Sequence, residues 1–351
     1  MISVETLLSK CRSVCSYANK SVGFAQALID AQLKDDETGQ KTPKYLVQDV
    51  VTRWNSAFLM LERFAELKEA VIDVLDDFTW KEKVNVRFYS ADWDLMNKLV
   101  TVLKIFKEAT EMLSSSEASI SQIIPIVVLI NESLKTSNAD HGVKNLKTKL
   151  QTALLLRFKY KENDRKYSRA TLLDPRYKKS FFLSKEAKEV AVNGLLNELK
   201  ETVKDETGAD RLANSSQQFT ENQVSDVEES FSLKSIMKRV VKENEEDSNS
   251  DFVTGKEEEV LYSYLSAPIE EVRCLDYWKD YESNANGDQI RLSLVKLAKK
   301  YLTPPPTSTD VERLFSVAGL ILTNKRATLL PENVDKLLFV KENLRNLNFE
   351  L

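Results

Sequence analysis

Residues 301–319 read Tyr-Leu-Thr-Pro-Pro-Pro-Thr-Ser-Thr-Asp-Val-Glu-Arg-Leu-Phe-Ser-Val-Ala-Gly, an extended segment followed by a helix start. The three prolines hold the chain extended, because each ring fixes its own φ and restricts the residue before it. Thr309 and Glu312 have the spacing of a capping box, in which each side chain satisfies a free backbone N–H of the first turn. Gly319 is placed to end the helix, since glycine is favoured just past a helix C-terminus. This stretch therefore predicts a helix over 309–318.

Composition and periodicity extend the helical prediction to the rest of the chain. Gly and Pro, which destabilise helix interiors, number only 8 each among 351 residues. Apolar residues recur at the three- and four-residue spacings of amphipathic helices. They predict helices over 3–33, 47–76, 92–114, 119–136, 143–161, 184–204, 256–265, 288–301 and 331–346. Only a short piece near 320–323 resembles a strand, so the sequence predicts an all-α fold.

Charge and periodicity divide the chain into three predicted domains. Residues 142–190 hold 14 Lys and Arg against 5 Asp and Glu, whereas residues 201–260 hold 7 against 16. Residues 205–254 also lose apolar periodicity, which predicts a disordered acidic linker. We therefore predict a helical bundle over 1–204, the linker, and a helical C-terminal unit over 255–351.

One short piece of the predicted linker is amphipathic. Residues 231–241 read Phe-Ser-Leu-Lys-Ser-Ile-Met-Lys-Arg-Val-Val, with apolar residues at helical spacing. Two interpretations stay open, a transient helix in a flexible segment and a helix that docks on a partner surface.

Side chains suited to catalysis or metal binding are few. Cys11 and Cys15 lie four residues apart, Cys274 is remote in sequence, and His141 is the one histidine. A structural zinc site needs about four such ligands, so we interpret the cysteines as small buried apolar residues. The sequence contains no phosphate-binding glycine loop, hydrolase serine motif or zinc-protease motif. It predicts no metal and no cofactor.

Localisation signals are also missing from the sequence. The longest apolar run, 123–130, contains Pro125 and falls far short of the roughly 20 residues that span a bilayer. The N-terminus lacks the basic and apolar regions of a secretory signal. Three cysteines, an odd number, suit a reducing compartment. The sequence therefore predicts an intracellular protein without membrane contact.

Several motifs together carry a family resemblance. Residues 306–319, with 324–334 and 337–344, closely resemble the C-terminal block of hAT transposases and of the BED-finger proteins derived from them. Upstream pieces of the same block are Tyr262-x-x-Leu265 and Leu275-x-Tyr277-Trp278, where Tyr277 replaces the more usual second tryptophan. Two further landmarks are Asp-Val-Val-Thr-Arg-Trp-Asn-Ser at 49–56 and Ala-Thr-Leu-Leu-Asp-Pro-Arg-Tyr-Lys at 170–178. Four landmarks in the family order make the match specific.

The resemblance implies what the chain would need for catalysis. Active hAT transposases hold two divalent metals with three carboxylates on a ribonuclease-H-like sheet. Glu312 matches the third carboxylate, whereas the first two aspartates and the BED zinc finger are expected upstream of this chain. The C-terminal part is therefore expected to be a helical remnant without the central sheet, and catalytically inactive. The remaining early carboxylates are interpreted as exposed surface residues: Asp30, Asp35, Asp36 and Asp49.

The resemblance also implies dimerisation through the C-terminal block and, for the protein as a whole, a nuclear location. The expected partner is a second copy of the chain or a related hAT or BED-finger protein. Apolar residues at helical spacing give the candidates Leu314, Phe315, Val334, Leu337, Leu338 and Leu344. A stripe of this kind fits an intrachain core as well as a subunit contact, so both interpretations stay open.

DNA contact is the alternative function. The basic block interleaves tyrosines with cations of the types that contact phosphates, namely Arg157, Lys159, Lys161, Arg165, Lys166, Arg169, Arg176, Lys178 and Lys179. The competing interpretations are a solvated surface or a partner for the acidic linker. Trp54, which follows Arg53 in a landmark, lies on a helical stripe and is predicted to be core.

Overall fold

A computed structural model of the chain describes residues 3–34, 40, 42–135, 141–206, 233–244, 255–321 and 330–346. Within these ranges the regular structure is helical and contains no strand, which confirms the predicted all-α fold. Of the segment near 320–323, Leu320 and Ile321 are helical, and the other two residues lie outside the described ranges.

The described residues form sixteen α-helices, which we number in chain order, and two 3-10 helices at Ile120–Gln122 and Lys159–Asn163. The bounds are α1 Val4–Lys20, α2 Val22–Leu33, α3 Trp54–Glu66, α4 Lys68–Asp76, α5 Phe78–Val84, α6 Ser90–Leu113, α7 Ile123–Ser133, α8 Lys144–Phe158, α9 Arg165–Leu172, α10 Lys185–Glu206, α11 Leu233–Asn244, α12 Lys256–Ser266, α13 Cys274–Ser283, α14 Gln289–Leu302, α15 Thr309–Ile321 and α16 Pro331–Asn346.

The helices fall into two compact units, neither of them continuous in sequence. The first unit comprises Met1–Ala109, Val127–Lys159 and Val224–Glu243. The second unit comprises Thr110–Ile126, Tyr160–Gln223 and Asn244–Leu351. This grouping joins α9 and α10 to the C-terminal helices, because both pack against α14. The grouping of helices into these two units differs from the predicted domain boundaries at 204 and 254, which stay a prediction.

Serine residues break the first unit's predicted long N-terminal helix into two. The Ser3 hydroxyl accepts the Thr6 N–H at 3.1 Å and starts α1. Ser21 has extended backbone angles, φ −120° and ψ 104°, and its hydroxyl accepts the Phe24 N–H at 3.3 Å. A serine cap of this kind satisfies a first-turn N–H that would otherwise lack a partner. The prediction of one helix over 3–33 is therefore wrong about its continuity.

The core of the first unit contains both early cysteines. Cys11 and Cys15 are buried among apolar side chains of α1, α2, α3, α4 and α6, which confirms their interpretation as apolar core residues. Burial disfavours the thiolate and raises the pKa of Cys15 to about 12. Neither thiol is therefore poised for nucleophilic chemistry at neutral pH.

Two predictions near residue 50 are wrong. Asp49, expected to be exposed, is buried and accepts hydrogen bonds from Arg12 Nε at 2.9 Å and Nη2 at 2.7 Å. A buried carboxylate is tolerated because this two-point pairing neutralises it. Trp54, expected in the core, is the first residue of α3 and is 45% exposed, because the helix predicted over 47–76 begins only there. Asp30 is exposed as predicted, whereas Asp35 and Asp36 lie outside the described residues.

The amphipathic piece of the predicted linker forms α11. Its apolar residues Leu233, Ile236 and Val240 are buried, and the Leu233 N–H donates to a Glu108 carboxylate oxygen at 2.9 Å. This burial agrees with the docking interpretation, here within the first unit of the same chain. The remainder of 207–254 lies outside the described residues.

The second unit is built around α9, α10, α12, α13 and α14. Leu172, Leu195, Leu261 and Leu294 form part of its core, together with Trp278, whose indole N–H donates to the Leu173 carbonyl at 2.8 Å. Helices α9 and α13 were not predicted, because both are short and α9 is rich in charged residues.

Candidate functional site

The start of α15 carries Glu312, the residue expected from the motif resemblance to match a third carboxylate. Thr307 Oγ1 accepts the Thr309 N–H at 3.3 Å, and the Ser308 hydroxyl donates to Glu312 Oε1 at 2.8 Å. The predicted capping box between Thr309 and Glu312 is therefore wrong by one residue, because the helix begins at Thr309 itself and Ser308 occupies the cap position. Gly319 does not end the helix, which continues to Ile321.

Glu312 does not meet the requirements of a two-metal site. The side chain is exposed, and the donor within reach is the Ser308 hydroxyl. The part of the chain that the structure describes contains no group of three His, Cys, Asp or Glu side chains placed to hold a metal ion. A metal pair needs several converging oxygen ligands, so these residues do not fit that cofactor.

The six dimerisation candidates divide by burial. Val334 is buried and belongs to the intrachain packing of α15 with α16. Half-buried positions are Leu314, Leu338 and Leu344. Phe315 is 71% exposed and Leu337 is 46% exposed, although both are large apolar residues.

The structure adds four apolar residues that the sequence analysis missed. They are exposed on or beside the same two helices, and they are Val311, Leu330, Phe339 and Val340. Val311 lies four residues before Phe315, and Val340 lies three after Leu337, so each pair shares a helix face. That spacing was visible in the sequence and could have identified Val311 and Val340. We call the exposed set Val311, Phe315, Leu337 and Val340 the α15–α16 apolar surface.

The nine basic candidates have different environments. Arg157, Lys159, Arg165 and Lys166 are exposed, and Lys161 and Lys179 are half-buried. The other three, Arg169, Arg176 and Lys178, take part in contacts inside the second unit. Four of the nine candidates are therefore exposed, and three contribute to the packing of the second unit.

Arg176 and Lys178 belong to the Asp-Pro-Arg-Tyr-Lys landmark and hold the second unit together. Asp174 is fully buried and accepts from the Ser121 hydroxyl at 2.6 Å and from Arg176 Nε and Nη2 at 2.9 and 2.8 Å. Burial lowers the pKa of Arg176, but the hydrogen bonds and charge of Asp174 outweigh this effect and raise it overall. The Arg176 guanidinium therefore stays charged.

Lys178 is a buried cation without a carboxylate ligand in its described contacts. Its Nζ donates to the carbonyls of Ala267 and Pro268 at 2.8 and 2.9 Å and lies 4.9 Å from the Tyr264 ring centroid. Burial lowers its pKa to about 8, Glu270 opposes this shift, and Lys179 adds to it. The lysine therefore joins its own loop to the end of α12 and is not accessible to a DNA phosphate.

Comparison with known proteins supports the hAT assignment at both ends of the chain. Residues 260–344 match the hAT family C-terminal dimerisation region, and residues 1–102 match the ZBED1 RNase-like helical domain. These two matches confirm the resemblance found in the sequence motifs. The α15–α16 apolar surface lies inside the matched dimerisation region.

Individual relatives agree with this class of protein. The chain is 27% identical to zinc finger BED domain-containing protein 4 of Homo sapiens and 26% identical to zinc finger BED domain-containing protein 6 of Homo sapiens, in each case over 99% of this chain. It spans 28% and 36% of the lengths of these relatives. In the ranges described, no helix is long and apolar enough to cross a membrane.

Proposed function

We propose that the chain is a catalytically inactive, transposase-derived module that self-associates through the α15–α16 apolar surface. The observation that carries this proposal is the exposure of Phe315 and Leu337 within a region that matches the hAT dimerisation region. Large apolar side chains exposed together on one surface commonly mark a protein contact. A homodimer with a twofold axis would cover the same surface on both copies. The proposed setting is the nucleus.

The geometry restricts which residues form the contact. Val334 is already buried within the chain, so its replacement would test folding and not association. Phe315 and Leu337 project from different helices and are exposed in one copy, so charges placed there should leave the fold intact. A like charge on both copies would face its equivalent across a twofold contact and oppose association.

Light scattering on the full chain tests the proposal. We expect the intact chain to show twice the mass of one copy at tens of micromolar, and the Phe315→Glu, Leu337→Glu double variant to show the mass of one copy. The matched control is Phe78→Glu, because Phe78 is 88% exposed but lies on α5, outside the matched dimerisation region. Circular dichroism confirms that each variant is folded. A folded, monomeric intact chain would reject self-association.

Absence of catalysis is part of the same proposal. With Glu312 exposed and outside any described metal-binding group, we expect no Mg²⁺- or Mn²⁺-dependent nicking of DNA by the pure chain. Nicking that is abolished by Glu312→Gln would contradict this expectation.

A second candidate function is nucleic-acid binding through the basic block. The observation that favours it is the exposure of Arg165 and Lys166 in the first turn of α9. Binding to phosphates releases condensed counterions, so the logarithm of the affinity should fall linearly with the logarithm of the salt concentration. Fluorescence anisotropy of a labelled duplex at several salt concentrations measures this slope, and a flat or absent response would reject the candidate.

A further inference from the structure

A buried carboxylate in the second unit is surrounded by cations from two distant parts of the sequence. Glu198 of α10 has a side chain that is only 7% exposed. Arg165 Nη2 donates to its Oε1 at 2.6 Å, Lys300 Nζ donates to the same oxygen at 2.8 Å, and Arg169 Nη1 donates to Oε2. The Tyr301 hydroxyl lies 2.9 and 2.8 Å from the two carboxylate oxygens. We call these five side chains the Glu198 cluster.

Further contacts fix the orientation of both guanidinium groups. Arg165 Nε donates to the Tyr301 hydroxyl at 2.9 Å, and Arg169 Nη2 donates to the Gly194 carbonyl at 2.8 Å. A Cβ at Gly194 would lie 3.1 Å from Arg169 Nη2, so the glycine leaves room for the guanidinium against α10. Cations held in this way lose little conformational freedom when they bind a further ligand.

The cluster holds more positive than negative charge. Arg165, Arg169 and Lys300 provide three positive charges, whereas Glu198 and the neighbouring carboxylate of Glu201, which acts on Arg169, provide two negative charges. The excess is accessible, because the side chains of Arg165 and Lys300 are each 58% exposed. Arg165 uses two of its five N–H donors in the contacts described above. Exposed donors and unbalanced positive charge together favour an anionic ligand.

We propose that the Glu198 cluster is a phosphate-binding site, in which Arg165 and Lys300 contact the phosphate oxygens. Arg169 and Tyr301 are positioning residues that hold Glu198 and, through it, the two contacting cations. The planar guanidinium fork matches two phosphate oxygens, and the ammonium adds a point charge. Lys300 lies outside the basic block and was not among the sequence candidates. The proposal adds a specific site to the second candidate function, nucleic-acid binding. It depends on that function only if the bound phosphate belongs to DNA.

Two ligands separate the sources of phosphate. A labelled DNA duplex is titrated with the full chain by fluorescence anisotropy, and tripolyphosphate is titrated by calorimetry. The test variant is Arg165→Ala, Lys300→Ala. The matched control is Arg291→Ala, Lys299→Ala, which removes the same charge from exposed α14 positions that pair with Asp288 and Glu282. We expect the test variant to lose about tenfold in affinity and the control less than twofold.

Each result has a defined meaning. Selective loss of binding to both ligands, with the DNA salt slope reduced by about one to two, supports the site with DNA as a source. Selective loss of tripolyphosphate binding by a chain that does not bind DNA supports the site and rejects the nucleic-acid function. Equal losses in the test and control variants, or no binding of either ligand, would overturn the site. If circular dichroism shows that the double variant is unfolded, Lys300→Gln alone provides the same comparison against Lys299→Gln.

Discussion

Two segments that carry the family resemblance differ completely in how they use their side chains. In the Asp-Pro-Arg-Tyr-Lys landmark, Asp174 and Lys178 are buried and hydrogen-bonded inside the second unit. In the helix that begins at Thr309, Phe315 is mostly exposed and the ion pair of Arg313 with Asp310 lies at the surface. Both segments carry the resemblance, but only the second exposes its side chains at the surface.

This difference shows that a charged motif does not by itself indicate a binding surface. Arg176 and Lys178 have the residue types of phosphate contacts, but a buried carboxylate and two carbonyls take up their donors. Burying such groups is costly unless they are paired, so the pairing partners must be kept for the fold to survive. The comparison predicts that substitutions in the landmark affect stability, whereas substitutions at the start of α15 affect stability little.

The largest effect is expected for Asp174→Ala. The change would leave the Arg176 guanidinium and the Ser121 hydroxyl without their buried acceptor, which typically costs about 3–5 kcal/mol. The matched change Asp310→Ala removes an exposed partner of Arg313 and should cost about 1 kcal/mol or less. Urea unfolding of both variants measures the difference. Similar losses for the two variants would remove the distinction between the segments.

A smaller effect is expected from the titration of Lys178. Its pKa in the folded chain is about 8, below the ordinary lysine value of 10.5. Between these values the unfolded state of this lysine binds more protons than its folded state, so its contribution to the free energy of unfolding should rise with pH, by roughly 2 kcal/mol. Below pH 8 the buried charge is present and its cost is complete.

The variant Lys178→Met should lose this rise, whereas Lys179→Met should keep it. The buried cysteines and nearby tyrosines have raised pKa values and oppose this rise at alkaline pH, but they are the same in all three proteins, so the Lys178 contribution is the difference between the variants. Urea unfolding between pH 7 and 10 therefore compares the lysines directly. If the same pH dependence of the free energy of unfolding persists in Lys178→Met, a group other than Lys178 is responsible for it.

The smallest effect is expected for Glu312→Gln. Glutamine can still accept the Ser308 hydroxyl hydrogen bond, so the main loss is a negative charge in the first turn of α15. A charge there interacts favourably with the helix dipole, and at an exposed position this is about 0.5 kcal/mol. Thermal unfolding in low salt measures it. A loss above about 2 kcal/mol would show that Glu312 has buried partners, unlike the rest of this helix start.

The fold class was predictable because it depends on composition and on apolar spacing, which are local properties. The helix boundaries were harder. Ser21 interrupts a continuous apolar stripe with a hydroxyl cap, and Leu67 ends α3 with φ −98° and ψ 17° although leucine favours helices. Both breaks leave the apolar spacing unchanged, so periodicity does not record them.

The candidate site was predictable in location but not in detail. The motif identified the region of α15 and α16. It could not show that Val334 is buried and Phe315 exposed, because burial depends on which neighbours each helix contacts. Asp49 was misjudged for the same reason, because its partner Arg12 is 37 residues away in sequence. The Glu198 cluster requires Arg165 and Lys300 to meet, and no local pattern indicates such a pairing.

The interrupted order of the two units has a consequence for how the chain can be divided. Leu172 and Leu195, which lie before residue 204, pack in one core with Leu261 and Leu294, which lie after residue 255. A gene divided at the predicted domain boundary would therefore separate the core of the second unit into two halves, carried by two different products. Each product would expose the apolar surface that the other normally covers. Neither product would be a smaller version of the protein, and both would tend to aggregate. For this chain, deletion mapping would report on lost folding before it reported on lost function.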